Sequence, residues 1–331
     1  MLWLTIPAAV LIAFELWLRI HFGNAARGVY AGVPTLRPRL ADPDPAAVTI
    51  ETTTRDGVRL AGSWWRPDGP SHGAVVFACE SGATRFTATH YAAPLIEVGF
   101  DVIAFSFRNS GESDATVGYE PHHWPTNLEV DDMDAVFRWT RQHVPAAAGG
   151  FGLLGVSKGG TAAAIAAVDC PDVRAIGLVS AFDTHQVTRV FGLKWAGIAV
   201  LPRWIDWLLP KWHIAQTIRI GGYWEAWSRG VRYPSLERAL RRLRGREVLL
   251  ISGARDSYIP LELARRLQAA AALGDDRLWL VPKSKHNGAR DTDPEGFDCR
   301  LLDFFGRHLA IRSAANASAE LDRRCAPVEQ S

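Results

Sequence analysis

Gly155-Val156-Ser157-Lys158-Gly159 decides how this chain reads. It follows the apolar run Phe151 to Val156 and opens an alanine-rich stretch from Thr161 to Val168. A serine on a sharp strand-to-helix turn has strained backbone angles, and glycine on both sides lets strand and helix pass without a clash, so the hydroxyl stands exposed. Gly160 extends the small surface. With 29 glycines in 331 residues, such a pentapeptide arises by accident in roughly one chain in ten. Its partners therefore carry the weight.

A nucleophilic serine needs a base, and the base needs an orienting acid. The apolar run Glu247 to Gly253 leads directly into Ala254-Arg255-Asp256, which puts Asp256 at the end of a strand. Asp183, after the run Ala175 to Ala181, is the alternative acid. Leu278 to Pro282 leads through Lys283-Ser284-Lys285 to His286-Asn287-Gly288, which puts His286 after the last strand. Each also has a plainer reading: Asp256 as a turn residue hydrogen-bonding its own backbone, His286 as a solvated loop histidine. His122 and His123, beside Tyr119-Glu120-Pro121, come too early in the chain and read as surface or pocket-rim residues. His90 stands as a pocket candidate.

The order Ser157, Asp256, His286 resembles the alpha/beta hydrolase family across about residues 46 to 310. Further stretches agree with the resemblance. Ala74 to Cys79 reads as a third strand, Glu80-Ser81-Gly82-Ala83-Thr84 occupies the place of the family's oxyanion loop, and Phe107-Arg108-Asn109-Ser110-Gly111-Glu112-Ser113 looks like its Arg-Gly-x-Gly-x-Ser loop. Cys79-Glu80 stands where His-Gly is common. The donor in that loop is a backbone N–H, which any residue but proline supplies. The resemblance implies a mostly parallel eight-stranded sheet with helices on both faces and a helical lid, Ser157 as nucleophile, His286 as base and Asp256 as the acid that orients it. It also implies an oxyanion hole built from the backbone N–H groups of Lys158 and Ser81, in which the side chains need not matter. Arg108 is expected to tie loops together rather than to act on substrate.

The chain is 48% hydrophobic with a net charge of +2, enough to bury a large core and with no signal for nucleic acid. Apolar strands alternate with helical stretches at Asn127 to His143, Leu261 to Ala272 and Pro294 to Leu309, and Val48 to Thr54 with Val58 to Trp65 reads as an edge hairpin turned by Arg55-Asp56-Gly57. No metal-ligand spacing, P-loop or dinucleotide fingerprint occurs, so neither metal nor cofactor is expected. The catalytic domain is expected over 46–310, with a lid over about 184–246 broken by Pro202 and Pro210 and carrying Trp195, Trp204, Trp207, Trp212, Trp224 and Trp227. These tryptophans either offer an apolar substrate wall or pack the lid onto the domain.

Residues 1–22 read as a membrane anchor: Leu2 to Leu18 is apolar apart from Thr5 and Glu15, and Arg19, Arg27, Arg37 and Arg39 follow it, which would keep the body on the cytoplasmic side. The alternative is an apolar helix packed on a soluble cytoplasmic protein. Cysteines 79, 170, 299 and 325 lack framework spacing, which fits a reducing compartment. Residues 23–45 read as a linker and 311–331 as a polar, disordered tail. The function expected is hydrolysis of carboxylic esters of small or lipophilic substrates through an acyl-enzyme at Ser157. A thioesterase, an acyltransferase or a peptidase on the same triad is the alternative, with Glu80 or Glu225 as the carboxylate a peptidase would use to hold an amine. A non-catalytic membrane-tethered scaffold is the rival from another class.

Overall fold

The computed structural model describes residues 2–32, 37–195 and 210–309. Pro202, Trp204, Trp207, Cys325 and the expected tail lie outside the described residues. The chain forms two compact units, 1–35 with 184–233, and 36–183 with 234–331. Helix Leu236–Arg242, inside the stretch expected to form a lid, belongs to the second unit.

The second unit is built on an eight-stranded sheet: β1 Val48–Thr53, β2 Arg59–Trp65, β3 Ala74–Ala78, β4 Asp101–Phe105, β5 Phe151–Val156, β6 Val173–Val179, β7 Glu247–Gly253 and β8 Leu278–Val281. Their spatial order is β1-β2-β4-β3-β5-β6-β7-β8. The β1–β2 hairpin is antiparallel, with Val48 opposite Trp64, and turns at Gly57, whose φ is +87°. β2 also runs antiparallel to β4, and every pairing from β4 to β8 is parallel. β3, β4 and β5 are buried along their whole length. Such strands read as continuous apolar runs because helices cover both faces. Side chains alternate between the faces: Val76, Leu153 and Ile176 join one core, while Val75, Phe77 and Leu154 join the other.

The first core is closed by helices Asn127–His143, Ser157–Ala167 and Leu261–Ala271, the second by Pro294–Leu309. Thr126 caps the first of these helices, taking the Leu128 N–H at 3.1 Å while the Glu129 carboxylate takes the Thr126 N–H at 2.8 Å. This reciprocal capping fixes where the helix begins. Arg108 is fully buried and ties three segments together: its guanidinium binds Asp132 at 2.8 Å and Asp56 at 2.7 Å, and also donates to Thr116.

The first unit packs helix Leu2–Ala31 on Lys211–Ser228. The helices approach closely because Gly221 and Gly222 lack side chains: a Cβ would lie 2.7 Å from Ala26 Cβ and 2.4 Å from the Tyr30 ring. Four polar residues of the first helix, Glu15, Arg19, Arg27 and Tyr30, find partners within this unit. His213 reaches Glu15 at 2.8 Å, Arg19 binds Glu15 at 2.5 Å, Arg27 binds Glu225 at 3.2 Å, and Tyr30 accepts a hydrogen bond from Thr188 at 2.9 Å. Ile6–Ala31 has a mean hydropathy of 1.4 with 11% of its apolar window buried, and is long and apolar enough to cross a membrane. Ile6, Val10, Leu11, Ile12 and Leu16 are all exposed. So are Trp212 and Trp227, whereas Trp224 is less exposed and sets its ring against the first helix, where a Cβ on Gly23 would lie 2.9 Å from it.

Among the described residues, Cys79 and Cys170 are free cysteines, Cys79 buried and Cys170 partly so.

Candidate active site

Ser157 stands where β5 passes into helix Ser157–Ala167, at a φ of +49°. That region is costly for a residue with a Cβ and persists only where the surroundings enforce it. They do so here by close contact. A Cβ on Gly155 would lie 2.3 Å from Gly160 Cα, and one on Gly159 only 2.0 Å from the Cys79 carbonyl oxygen. Three glycines therefore let β5 run against its own helix and let that helix touch the end of β3.

Ser157 Oγ lies 3.0 Å from His286 Nε2, and His286 Nδ1 lies 2.8 Å from Asp256 Oδ2. The other carboxylate oxygen, Asp256 Oδ1, accepts the N–H groups of Tyr258 at 2.8 Å and Ile259 at 2.9 Å, which fixes the acid's rotamer. The loops carrying acid and base are joined main chain to main chain, Ala254 N–H to Val281 O and Arg255 N–H to Ser284 O, both at 2.9 Å. All three side chains of this chain are buried. Asp183 is not joined to it. Its carboxylate takes the Ser235 hydroxyl at 2.6 Å and the Glu237 N–H at 3.0 Å, tying down the start of helix Leu236–Arg242.

Lys158 follows Ser157 in the first turn of a helix, where backbone N–H groups have no helical acceptor. Ser81 sits in a tight turn closed by Ala83 N–H to Glu80 O at 3.2 Å, with Gly82 at a φ of +76°. Only the backbone role of Lys158 was expected; its side chain proves to be structural. It is buried, and Nζ donates at 2.7 Å both to Glu129 Oε1 and to the His122 carbonyl. Glu129 Oε1 also takes the Tyr119 hydroxyl at 2.5 Å. The lysine charge holds the Glu129 carboxyl below its usual range, against the opposing effect of burial.

A cavity of about 370 Å³ opens onto Ser157 and His286 and is also lined by Ser81, Glu80, His123, Arg37, Arg39 and Asp291. Its described walls are largely polar and charged, unlike the apolar wall expected from the tryptophans. Arg39 pairs with Asp291, and Glu80 Oε1 takes a long 3.4 Å hydrogen bond from Tyr91 while Oε2 has no hydrogen-bond partner among the described residues. Burial raises the Glu80 carboxyl. Glu225, the other carboxylate considered, is engaged by Arg27 and Arg229. His90 does not line this cavity; it points to Asp291 at 3.5 Å, and burial pushes its pKa down to about 4. His122 and His123 are buried rather than at the surface, and His123 lines the cavity. Sequence gave no signal for Arg37 and Arg39, which fall in the stretch read as a linker, because only the fold brings that stretch to the serine.

This sheet order, with the serine after β5, an acid after β7 and a histidine after β8, decides the fold. It is that of the alpha/beta hydrolases. Solved structures agree. The Pyrococcus furiosus esterase Pf2001 superposes with a TM-score of 0.59 at 20% identity, covering 84% of this chain and 98% of its own. The alpha/beta hydrolase GrgF from Penicillium sp. sh18 gives 0.57 at 17% identity, covering 80% and 99%. A membrane phospholipase A described as a bacterial virulence factor gives 0.53 at 15% identity, covering 95% and 97%. A sequence profile of the X-Pro dipeptidyl-peptidase (S15) family matches residues 56–201, under half of the 331-residue chain. No curated relative matches by sequence. The alpha/beta hydrolase sheet thus carries, in this chain, a serine, histidine and aspartate in one hydrogen-bonded line.

Proposed function

We propose that this alpha/beta hydrolase is a serine hydrolase that cleaves carboxylic esters through an acyl-enzyme at Ser157. The observation that carries the reading is the line Ser157 Oγ to His286 Nε2 at 3.0 Å and His286 Nδ1 to Asp256 at 2.8 Å. His286 takes the hydroxyl proton as Ser157 attacks the carbonyl, and Asp256 holds the imidazole in the tautomer that accepts it. The backbone N–H groups of Lys158 and Ser81 receive the oxyanion. Collapse of the tetrahedral intermediate expels the alcohol, which takes its proton from His286. Water, deprotonated by the same imidazole, then releases the acid and restores Ser157.

The N-terminal helix serves as the attachment to a membrane, which its length, hydropathy and exposed apolar side chains support. Glu15, the one acidic residue in the apolar run, is hydrogen-bonded to His213 and paired with Arg19. A second reading, cleavage of short peptides, is favoured by the S15 profile and by Glu80 in the cavity, a carboxylate suited to a substrate amine.

Labelling with a fluorophosphonate probe tests the nucleophile: wild type should label and Ser157→Ala should not. A p-nitrophenyl ester series from acetate to palmitate, run against aminoacyl p-nitroanilides, separates esterase from peptidase. Absence of both labelling and turnover in folded protein would overturn the serine hydrolase reading. Membrane fractionation with and without residues 1–31 tests the anchor, and equal solubility of both forms would sink it.

A further inference from the structure

His123 takes no part in the chemistry described so far, yet its imidazole is buried and lines the cavity with Ser157 and His286. Its ring lies flat against Phe182, with centroids 5.7 Å apart and planes 4° apart, and meets the edge of Trp124 at 5.1 Å. On the remaining side Tyr258 lies 6.3 Å away, and Tyr258 in turn lies 5.4 Å from His286. The loop is held from beneath as well, because the carbonyl of His122 accepts the Lys158 ammonium at 2.7 Å. The residue next to the nucleophile thus anchors the residue next to His123.

Three aromatic neighbours and a buried ion pair fix this ring, while among the described residues nothing hydrogen-bonds to its nitrogens. A phenylalanine would fill the same slot between Phe182 and Trp124. What the imidazole adds is one donor and one acceptor on a cavity wall.

We propose that His123 is a specificity-determining residue that contacts the substrate, its imidazole hydrogen-bonding a polar group beside the scissile carbonyl. The preferred substrates are then esters with an oxygen or nitrogen close to the carbonyl, rather than plain alkyl esters. Burial, with the charges of His286 and Lys158, pushes the His123 pKa down to about 3. The ring stays neutral at working pH, so it can both donate and accept, and it does not repel the imidazolium that forms on His286. This inference rests on the serine hydrolase reading.

Two isosteric pairs test it in the full chain. On the acyl side, p-nitrophenyl methoxyacetate is compared with p-nitrophenyl butyrate; on the alcohol side, 2-methoxyethyl butyrate with butyl butyrate. Each ratio of kcat/KM is divided by the ratio for alkaline hydrolysis, which removes intrinsic reactivity. Wild type should favour the ether-bearing member of at least one pair. His123→Phe should lose about tenfold of that preference, as expected for one neutral hydrogen bond, with fluorophosphonate labelling of Ser157 reporting separately whether the nucleophile is still formed. His123→Gln, which retains a donor and an acceptor, should recover part of the preference and guards against misfolding of the Phe variant. Unchanged ratios in both pairs for an active Phe variant would overturn the role of His123 and leave the hydrolase reading standing. A wild type that neither labels nor turns over any ester overturns both.

Discussion

Lys158 Nζ and Glu129 Oε1 form a 2.7 Å ion pair with both side chains almost wholly buried, and Lys158 is the residue directly after Ser157. Removing one member of a buried pair strands the other charge, at a cost of about 3–5 kcal/mol. Lys158→Met should therefore destabilise the fold by about that amount in urea unfolding. Adding Glu129→Gln removes the stranded charge and keeps an acceptor for Tyr119, so the double variant should be more stable than Lys158→Met alone. Simple additivity of the two losses would show that the pair is not coupled.

Asp256 is held by two backbone N–H groups that do not depend on its charge. Asp256→Asn should thus keep the loop but favour the wrong His286 tautomer, lowering kcat by about 10⁴-fold. Labelling by fluorophosphonate should slow in parallel while the melting temperature moves little. An Asn variant within tenfold of wild type would mean that another group orients His286.

Gly159 leaves no room for a methyl group, because a Cβ would sit 2.0 Å from the Cys79 carbonyl oxygen. Neither atom belongs to a flexible side chain, so backbone must move. Gly159→Ala should cost about 3 kcal/mol or more and should displace the turn that carries Ser81. Gly149→Ala, with nothing within 4 Å of the added atom, is the control. Equal stability of the two variants by thermal melting would contradict the contact.

Asp56 gives a pH signature. Its hydrogen bonds to Arg108 lower its pKa to about 2. A carboxylate depressed below its unfolded value of about 3.9 stabilises the fold at higher pH, and that contribution is lost as pH falls from about 4 to about 2. Its side chain is 47% exposed, so solvent screening limits the effect to about 1 kcal/mol. Asp56→Asn should be less stable than wild type by up to that amount at pH 7, and the gap should close by pH 2. A gap that persists at pH 2 would mean that charge is not the cause.

The sequence by itself determined the sheet and the elbow, and it named the serine, aspartate and histidine that the fold brings into one hydrogen-bonded line. Alternation of apolar strands with helical stretches and glycines around Ser157 are local signals, and they put Asn127–His143 and Pro294–Leu309 at their observed bounds. Sequence also named both acids, but only the fold separated them: Asp256 meets His286, while Asp183 fastens Ser235 and Glu237. Only tertiary structure decided the cavity walls. Arg37 and Arg39 read as linker, His123 as surface or pocket rim and Lys158 as a bare backbone donor; the fold brings the first three to the cavity and sets the Lys158 side chain beneath it. Periodicity reports which face of an element is buried, not which distant loop will lie against it. The residues around a reaction centre come from loops far apart in the chain, and chain closure, not local propensity, sets what they touch.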